Sequence, residues 1–335
     1  MKQHALANAQ PLAVYLELTY HCNWRCVFCY NPRHTDVRPM SATEWIAVLD
    51  DLRTLGAFTL TLTGGEPLTH PEFFSIAGAA RERGFAIRIF TNGALIDGMA
   101  ADRIAALHPE SVQLSIHGAT AGTHDLATRH PGSFFEMWRG IDHLVGRDIR
   151  VSLKSSLTRL NEHELEDLID LVAGRGLPLH IDPALTPRDD GDPSPLSYLP
   201  SPDAVRRLMR KQLVAESLHK VERVEGGVNC GLGRLTTAID PEGNVYPCIQ
   251  WRKSSLGNVR QSPLRELWKN SPVREEAAAV ATAVNDHLIR IGGPLSEFPF
   301  CPALADQRTG TVFEADEGIR DRADLAATIR RELAR

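Results

Sequence analysis

Long apolar runs are missing from this chain. No stretch approaches the roughly 20 residues of a membrane span, so a membrane is not an expected partner. Met1 to Gln10 lacks the basic start, apolar stretch and small-residue cleavage site of a signal peptide. A cytoplasmic location follows as the expectation. A large surplus of charge of either sign is missing too: the net charge of −5 shows none of the basic excess of a nucleic-acid-binding protein. Cysteine is also sparse, with six in 335 residues, far below the density of a small secreted domain stapled by disulfides. The six are unevenly spread. Cys22, Cys26 and Cys29 share one short segment, and Cys230, Cys248 and Cys301 lie in the last third. In a reducing compartment, clustered cysteines read as metal or cluster ligands.

What the chain has in quantity is alternation. Ala13–Thr19, Phe58–Thr63, Ala86–Thr91, Ser111–Ile116, Arg150–Ser155 and Leu177–Ile181 are short and rich in aliphatic or β-branched residues, as strands are. Helical patterns run between them, near Ala42–Leu55, Pro71–Arg83, Asp97–Leu107, Phe134–Val145 and Glu162–Ala173. Ser41 and Thr43 mark a helix start, and Gly56, Gly84 and Gly176 mark stops. Repeated β-then-α units imply a parallel sheet with right-handed crossovers. Six such units suit either an open (β/α)6 barrel or a doubly wound sheet. Residues 186–202, dense in Pro, Asp and Gly, read as a linker or lid, and a helix is expected over Asp203–Leu218. Arg234–Ile239 and Asn244–Ile249 flank an Asp-Pro-Glu-Gly turn and predict a β-hairpin. Ser262–Asn270 and Glu317–Leu333 predict two late helices.

The segment from His21 to Tyr30 follows the first strand directly. Its three thiolates can each bind one iron of a cubane, leaving the fourth iron without a protein ligand. An open iron can chelate the amino and carboxylate groups of a small molecule. The alternatives at this point are a structural zinc with His21 as fourth ligand, and a simple electron-transfer cluster.

The CxxxCxxC spacing after a first strand, with Phe28 as the aromatic before the last cysteine, resembles the signature of radical S-adenosylmethionine (SAM) enzymes. The resemblance runs from about residue 13 to 183. Thr63-Gly64-Gly65-Glu66-Pro67, ending the second strand, is similar to that family's GGEP motif. Glycines allow close approach of backbone to a ligand, and the resemblance implies that Glu66 accepts the methionine amine of SAM. It also implies a SAM-ribose contact for Ser115 at the end of the fourth strand, and SAM contacts near Asn92 at the end of the third. Arg129 and Lys154 are candidates for the SAM carboxylate or the substrate; His117 and His124 read as structural. The family's chemistry is reductive cleavage of SAM at a [4Fe–4S] cluster, giving a 5′-deoxyadenosyl radical that abstracts a substrate hydrogen.

Cys230 before the hairpin, Cys248 after it, and Cys301-Pro302 resemble the SPASM/Twitch extension of these enzymes, which implies an auxiliary [4Fe–4S] cluster. A full SPASM domain has many more cysteines, so one auxiliary cluster at most is expected. The fold class expected is α/β, a partial (β/α)6 barrel with a smaller C-terminal α+β domain. The expected units are a radical SAM core (11–200), a linker helix (201–225), an auxiliary-cluster domain (226–310) and a C-terminal helix (311–335). The resemblance is to enzymes that cross-link or epimerise ribosomally made peptides. The alternatives are a dehydrogenase or epimerase of a sugar or aminocyclitol, and a non-catalytic iron–sulfur redox module. Only about a dozen residues precede the first strand, so a peptide substrate is expected to need a separate leader-recognition protein or direct binding. A flavodoxin or ferredoxin is the expected electron donor.

Overall fold

The computed structural model of the chain describes residues 2–31, 34, 38–215 and 220–333. Six strands form first: β1 (Ala13–Thr19), β2 (Thr59–Gly64), β3 (Ala86–Thr91), β4 (Ser111–Ser115), β5 (Val151–Ser156) and β6 (Leu179–Asp182). Each pairs in parallel with its sequence neighbour. Alternation assigns their faces. Leu16, Leu60, Leu62, Ile87, Ile89, Val112, Leu114 and Leu153 are buried in one core against the crossover helices. The opposite face carries Glu17, Thr63, Gln113, Ser115, Lys154 and Asp182, the polar interior of a partial barrel.

The helices begin where local chemistry satisfies their free N–H groups. Ser41 and Glu44 form a reciprocal capping box before Ala42–Thr54. That helix turns Trp45, Leu49 and Leu52 toward the sheet, a spacing that matches one helical face. Asp97 caps Gly98–Ala106 through the amide of Ala100 at 2.8 Å.

Among the described residues, the last third does not build a separate sheet. β7 (Thr236–Ile239) lies parallel to β1, from Ala13↔Thr236 to Leu16↔Ile239. β8 (Asn244–Tyr246) and β9 (Gly257–Asn258) continue antiparallel, giving the order β6-β5-β4-β3-β2-β1-β7-β8-β9. The Asp-Pro-Glu-Gly turn forms as expected. Asp240 accepts from the amides of Glu242 (2.9 Å) and Asn244 (2.8 Å), closing the turn locally. The hairpin's Ile239 and Val245 join the main core, while a second core gathers Leu232, Trp251, Ala281, Leu288 and Phe300.

Five helices were not foreseen: Lys2–Ala7, Ala121–Thr128, Pro272–Ile291, Gly293–Ser296 and Pro302–Thr309. The linker helix expected over 201–225 is shorter: it runs Pro202–Ala215, and 216–219 lie outside the described residues. Residues 220–224 are irregular because their polar groups are met elsewhere. The amide of Val221 donates to the carbonyl of Glu297 (3.1 Å), and Arg223 donates to the carbonyls of Ser296 and Phe298. Among the described residues, no helix is long and apolar enough to cross a membrane.

Candidate active site

The loop after β1 is shaped by its backbone partners. The amides of Arg25 and Val27 donate to the carbonyls of Thr128 and Ala127, each at 3.0 Å, tying the loop to the end of the 121–128 helix. The amide of Cys29 donates to the carbonyl of Cys26 at 3.1 Å, a tight turn that brings both thiols to one side. Trp24 is buried as the loop's anchor, its ring edge-on to His124 at 5.4 Å. Phe28 packs edge-on against His117 at 4.7 Å. Burial pushes the Cys22 thiol up to about 12, and raises Cys26 and Cys29 as well. Neighbouring thiols add to the rise at Cys22 and Cys26. Three crowded thiolates need cationic partners, and an iron cluster supplies them, so the donor set fits such a group. Among the described residues, no three His, Cys, Asp or Glu are placed to hold a single metal ion. His21, the fourth ligand of the zinc alternative, is exposed.

The two glycines after β2 serve this loop. A Cβ on Gly64 would collide with the carbonyl of Thr19, and one on Gly65 with the carbonyls of Tyr20 and His21. The close approach is therefore first to the cysteine loop itself. Gly64 also takes a φ of 127°, outside the usual range of other residues. The amides of Gly65 and Glu66 donate to the carbonyls of Thr19 (2.6 Å) and His21 (2.9 Å), latching β2 onto the loop.

Glu66 is fully buried. It accepts from the Thr91 hydroxyl (2.7 Å) and from the amides of Asn92 (2.7 Å) and Leu68 (3.1 Å). Three of about four acceptor positions of its carboxylate are thus used, and one remains. Burial raises Glu66 to about 7, against the lowering effect of those three bonds. A nearby ammonium would favour the anion. Pro67 starts the short turn that Glu66 caps. The Asn92 side chain donates to Asn23 of the cysteine loop at 2.7 Å and accepts from the Ala94 amide at 3.0 Å.

The remaining strand ends are less convergent. Ser115 and Lys154 are register partners on the polar face, and Lys154 lies 4.0 Å from Asp182. Arg129 is exposed, with φ of 51°, at the end of the 121–128 helix and is not brought among the cysteines. The His-Gly-Ala-Thr to Asp stretch around it is architectural. Glu164 accepts from the amides of Ala119 and Thr120 and the hydroxyls of Thr120 and Thr123, while Asp125 accepts from Gly132, Ser133 and Phe134. Burial lowers His117 well below its ordinary value and His124 to about 4, so both are neutral packing groups at neutral pH.

Five residues that the sequence did not single out meet around one guanidinium on the polar face of β1. Arg252 Nη2 donates to Glu17 Oε2 at 2.6 Å, and the Tyr30 hydroxyl donates to Glu17 Oε1 at 2.7 Å. Arg252 Nε lies 3.7 Å from Asp189 Oδ2, and its guanidinium stands 4.7 Å from the Tyr246 ring centre. One visible signal was Glu17 itself, a charge inside an otherwise apolar strand.

The second triplet converges by a different device. Asn229 Nδ2 donates to the carbonyl of Phe300 at 2.7 Å, pinning the residue before Cys230 to the residue before Cys301. Cys301 stands just ahead of the helix Pro302–Thr309. Burial pushes Cys230 up to about 11, with smaller contributions from Cys248 and Cys301. This donor set fits an iron cluster by the same argument as the first. A larger concavity, about 640 Å³, lies beyond β6 between 183–206 and the helix Glu317–Leu333, and no cysteine lines it.

Comparisons with known proteins agree with this arrangement. A family model described as the radical SAM superfamily matches residues 16–172, and one described as an iron–sulfur cluster-binding (SPASM) domain matches 230–290. The chain is 28% identical to the AdoMet-dependent heme synthase of Methanosarcina barkeri, over 80% of this chain and 85% of that protein. It is 29% identical to the mycofactocin maturase of Mycobacterium ulcerans, over 78% of this chain and 76% of that protein. Its fold is similar to that of Streptococcus suis SuiB bound to precursor peptide SuiA, with a TM-score of 0.65 and 14% identity. That match covers 80% of this chain and 66% of SuiB, just under two thirds of the latter. With one cysteine loop at the end of the first strand of a parallel half-barrel and a second triplet set before the hairpin, after it and ahead of a late helix, the chain carries a radical SAM domain and an SPASM-type iron–sulfur extension.

Proposed function

We propose that this enzyme removes a hydrogen atom from a ribosomally made peptide, leaving a cross-link or an epimerised residue. The observation that carries the reading is the match to mycofactocin maturase, which extends through most of the chain, together with a SPASM match over the hairpin region. SuiB, of similar fold, is known with its precursor peptide bound. Cys22, Cys26 and Cys29 hold the SAM-binding [4Fe–4S] cluster, and Cys230, Cys248 and Cys301 hold an auxiliary one. When bound, cluster and SAM supply the one-electron chemistry by which a substrate hydrogen is removed.

This chain's residues then bind and orient. Glu66 accepts a hydrogen bond from the SAM amine at its remaining acceptor position, and Gly64 and Gly65 keep the backbone beside it close. Asn92 and Ser115 face the nucleoside, and Lys154 faces the SAM carboxylate or the substrate. Phe28 holds the loop by packing on His117. Arg129, exposed beyond the site, contacts the peptide or its carrier. A flavodoxin or ferredoxin delivers electrons, and a separate recognition protein presents the leader.

The test is anaerobic incubation of the fully loaded protein with SAM, dithionite and the small peptide encoded beside its gene. The expected result is 5′-deoxyadenosine together with a cross-linked peptide mass, or solvent deuterium at an α-carbon. Formation of 5′-deoxyadenosine with every such peptide unchanged would overturn the peptide reading. Conversion of a tetrapyrrole is the second reading, favoured by the heme synthase relative, which is matched over 85% of its length. A changed mass of an added iron porphyrin under the same conditions would establish it instead.

A further inference from the structure

A small cavity of about 290 Å³ lies between the two cysteine triplets. Its walls are the segment 187–191, the turn 250–253 that follows Cys248, and the helix that follows Cys301. The charged groups lining it are Arg188, Asp189, Arg252, Lys253 and Asp306. Lys253 and Asp306 neutralise one another at 3.0 Å. Asp189 partly offsets Arg252, at 3.7 Å, and Glu17 takes one edge of the same guanidinium. Arg188 keeps only a loose contact with Asp192, at 3.4 Å without a hydrogen bond.

The donors on these two arginines do not all find acceptors. Arg252 is 8% exposed, yet its Nε and Nη1 are buried without a hydrogen-bond partner among the described residues. The Nε of Arg188 is in the same condition. Buried guanidinium donors left unmade are costly, and a site that keeps several of them beside a cavity is built for an acceptor that arrives later. Nη2 of Arg252 is taken by Glu17, so what remains are single donors, Nε and Nη1 of Arg252 and Nε of Arg188, and charged single donors suit an anionic oxygen such as a carboxylate. The charges reach both triplets: Arg188 acts on Cys29, and Arg252 acts on Cys248.

We infer that Arg252 and Arg188 form a carboxylate-binding subsite between the two cluster loops, which anchors a carboxylate of the substrate. This deepens the peptide reading and rests on it. The carboxylate is an acidic side chain or a chain terminus, and the volume admits one side chain with a few waters.

The test uses the reconstituted full chain under anaerobic conditions and three probes followed by saturation-transfer NMR. N-acetylglutamate α-amide carries a side-chain carboxylate, N-acetylalanine a terminal one, and N-acetylglutamine amide is the neutral isostere. At least one carboxylate probe is expected to bind tenfold or more tightly than the neutral one, and which one does so identifies the source. Arg188→Gln is expected to reduce that preference to less than threefold, with iron content and melting temperature retained. Arg252→Lys, which keeps the charge facing Glu17, is expected to weaken it as well. Because Arg252 is buried and its variant can misfold, Arg188→Gln decides alone in that case. Equal binding of charged and neutral probes, or a preference that survives Arg188→Gln, overturns the subsite. These probes report no turnover, so a peptide that is modified while the probes show no preference removes the subsite and leaves the peptide reading standing. The converse result removes the reading only.

Discussion

Arg252 and Glu17 stand 2.6 Å apart although 235 residues separate them in sequence, and both are almost wholly buried. The pair joins the turn after Cys248 to the inner face of β1, and through Tyr30 to the end of the first cysteine loop. Removing one partner leaves the other as an uncompensated buried charge, at a cost of about 3–5 kcal/mol. Arg252→Met is therefore expected to lower the stability of the reconstituted protein by that order in chemical denaturation. The double variant Arg252→Met with Glu17→Gln should recover a large part of the loss. A double variant no more stable than the single one would mean that the charge pair is not what the single variant breaks.

Glu66 makes the SAM-free protein sensitive to pH. Its value in the fold is raised from 4.5 to about 7 by burial. A raised carboxylate contributes stability that is full below the unfolded value and is lost as pH rises through the folded one. The loss between about pH 4.5 and 7 is on the order of 3 kcal/mol. Melting temperatures across this window should fall with pH in the wild type, and Glu66→Gln should flatten that fall. SAM binding runs the other way, because the SAM amine donates to the anion: affinity should rise with pH up to about 7 and then level. A SAM affinity indifferent to pH in both proteins would remove Glu66 from the amine contact.

Gly65 tests the latch between β2 and the cysteine loop. Gly65→Ala places a methyl group against the carbonyls of Tyr20 and His21. The expected outcome is loss of the first cluster, so that iron per chain falls from about eight to about four. A full complement of iron in this variant would show that the loop yields without cost.

The two triplets should load separately. Alanine at Cys22, Cys26 and Cys29 should abolish SAM cleavage and leave about four irons at the other site. Alanine at Cys230, Cys248 and Cys301 should leave about four irons at the first site and spare SAM cleavage. If both variants lose cleavage, the clusters depend on each other.

Much of the barrel could be read directly from residue order. Ala13–Thr19 and Ala86–Thr91 form with the expected bounds, because one face of each is aliphatic and the crossover helices cover it. The helix Ala121–Thr128 was hidden because it is only eight residues long and buries His124, Ala127 and Thr128, which give no apolar periodicity. Pro272–Ile291 was hidden because its buried face is largely alanine, which gives little periodic contrast. Cys22, Cys26, Cys29 and Glu66 were readable because local spacing carries their chemistry. Arg252 was not, since nothing near it in sequence tells that its partner is in β1. Asn229 escaped for the same reason: its role lies in the carbonyl of Phe300, which only the folded chain supplies.

The place of β7 beside β1 has a consequence for biosynthesis. β1 is an inner strand of the finished sheet, but one of its two neighbours does not exist until residue 236 has been made. On the ribosome the nascent half-barrel therefore presents β1 as an open edge, immediately before the loop that carries Cys22. Open edges recruit other chains, and late long-range pairing is slow. A chain truncated ahead of β7 is thus expected to aggregate rather than persist as a free-standing barrel, and the late segment acts as an intramolecular guard for the early one.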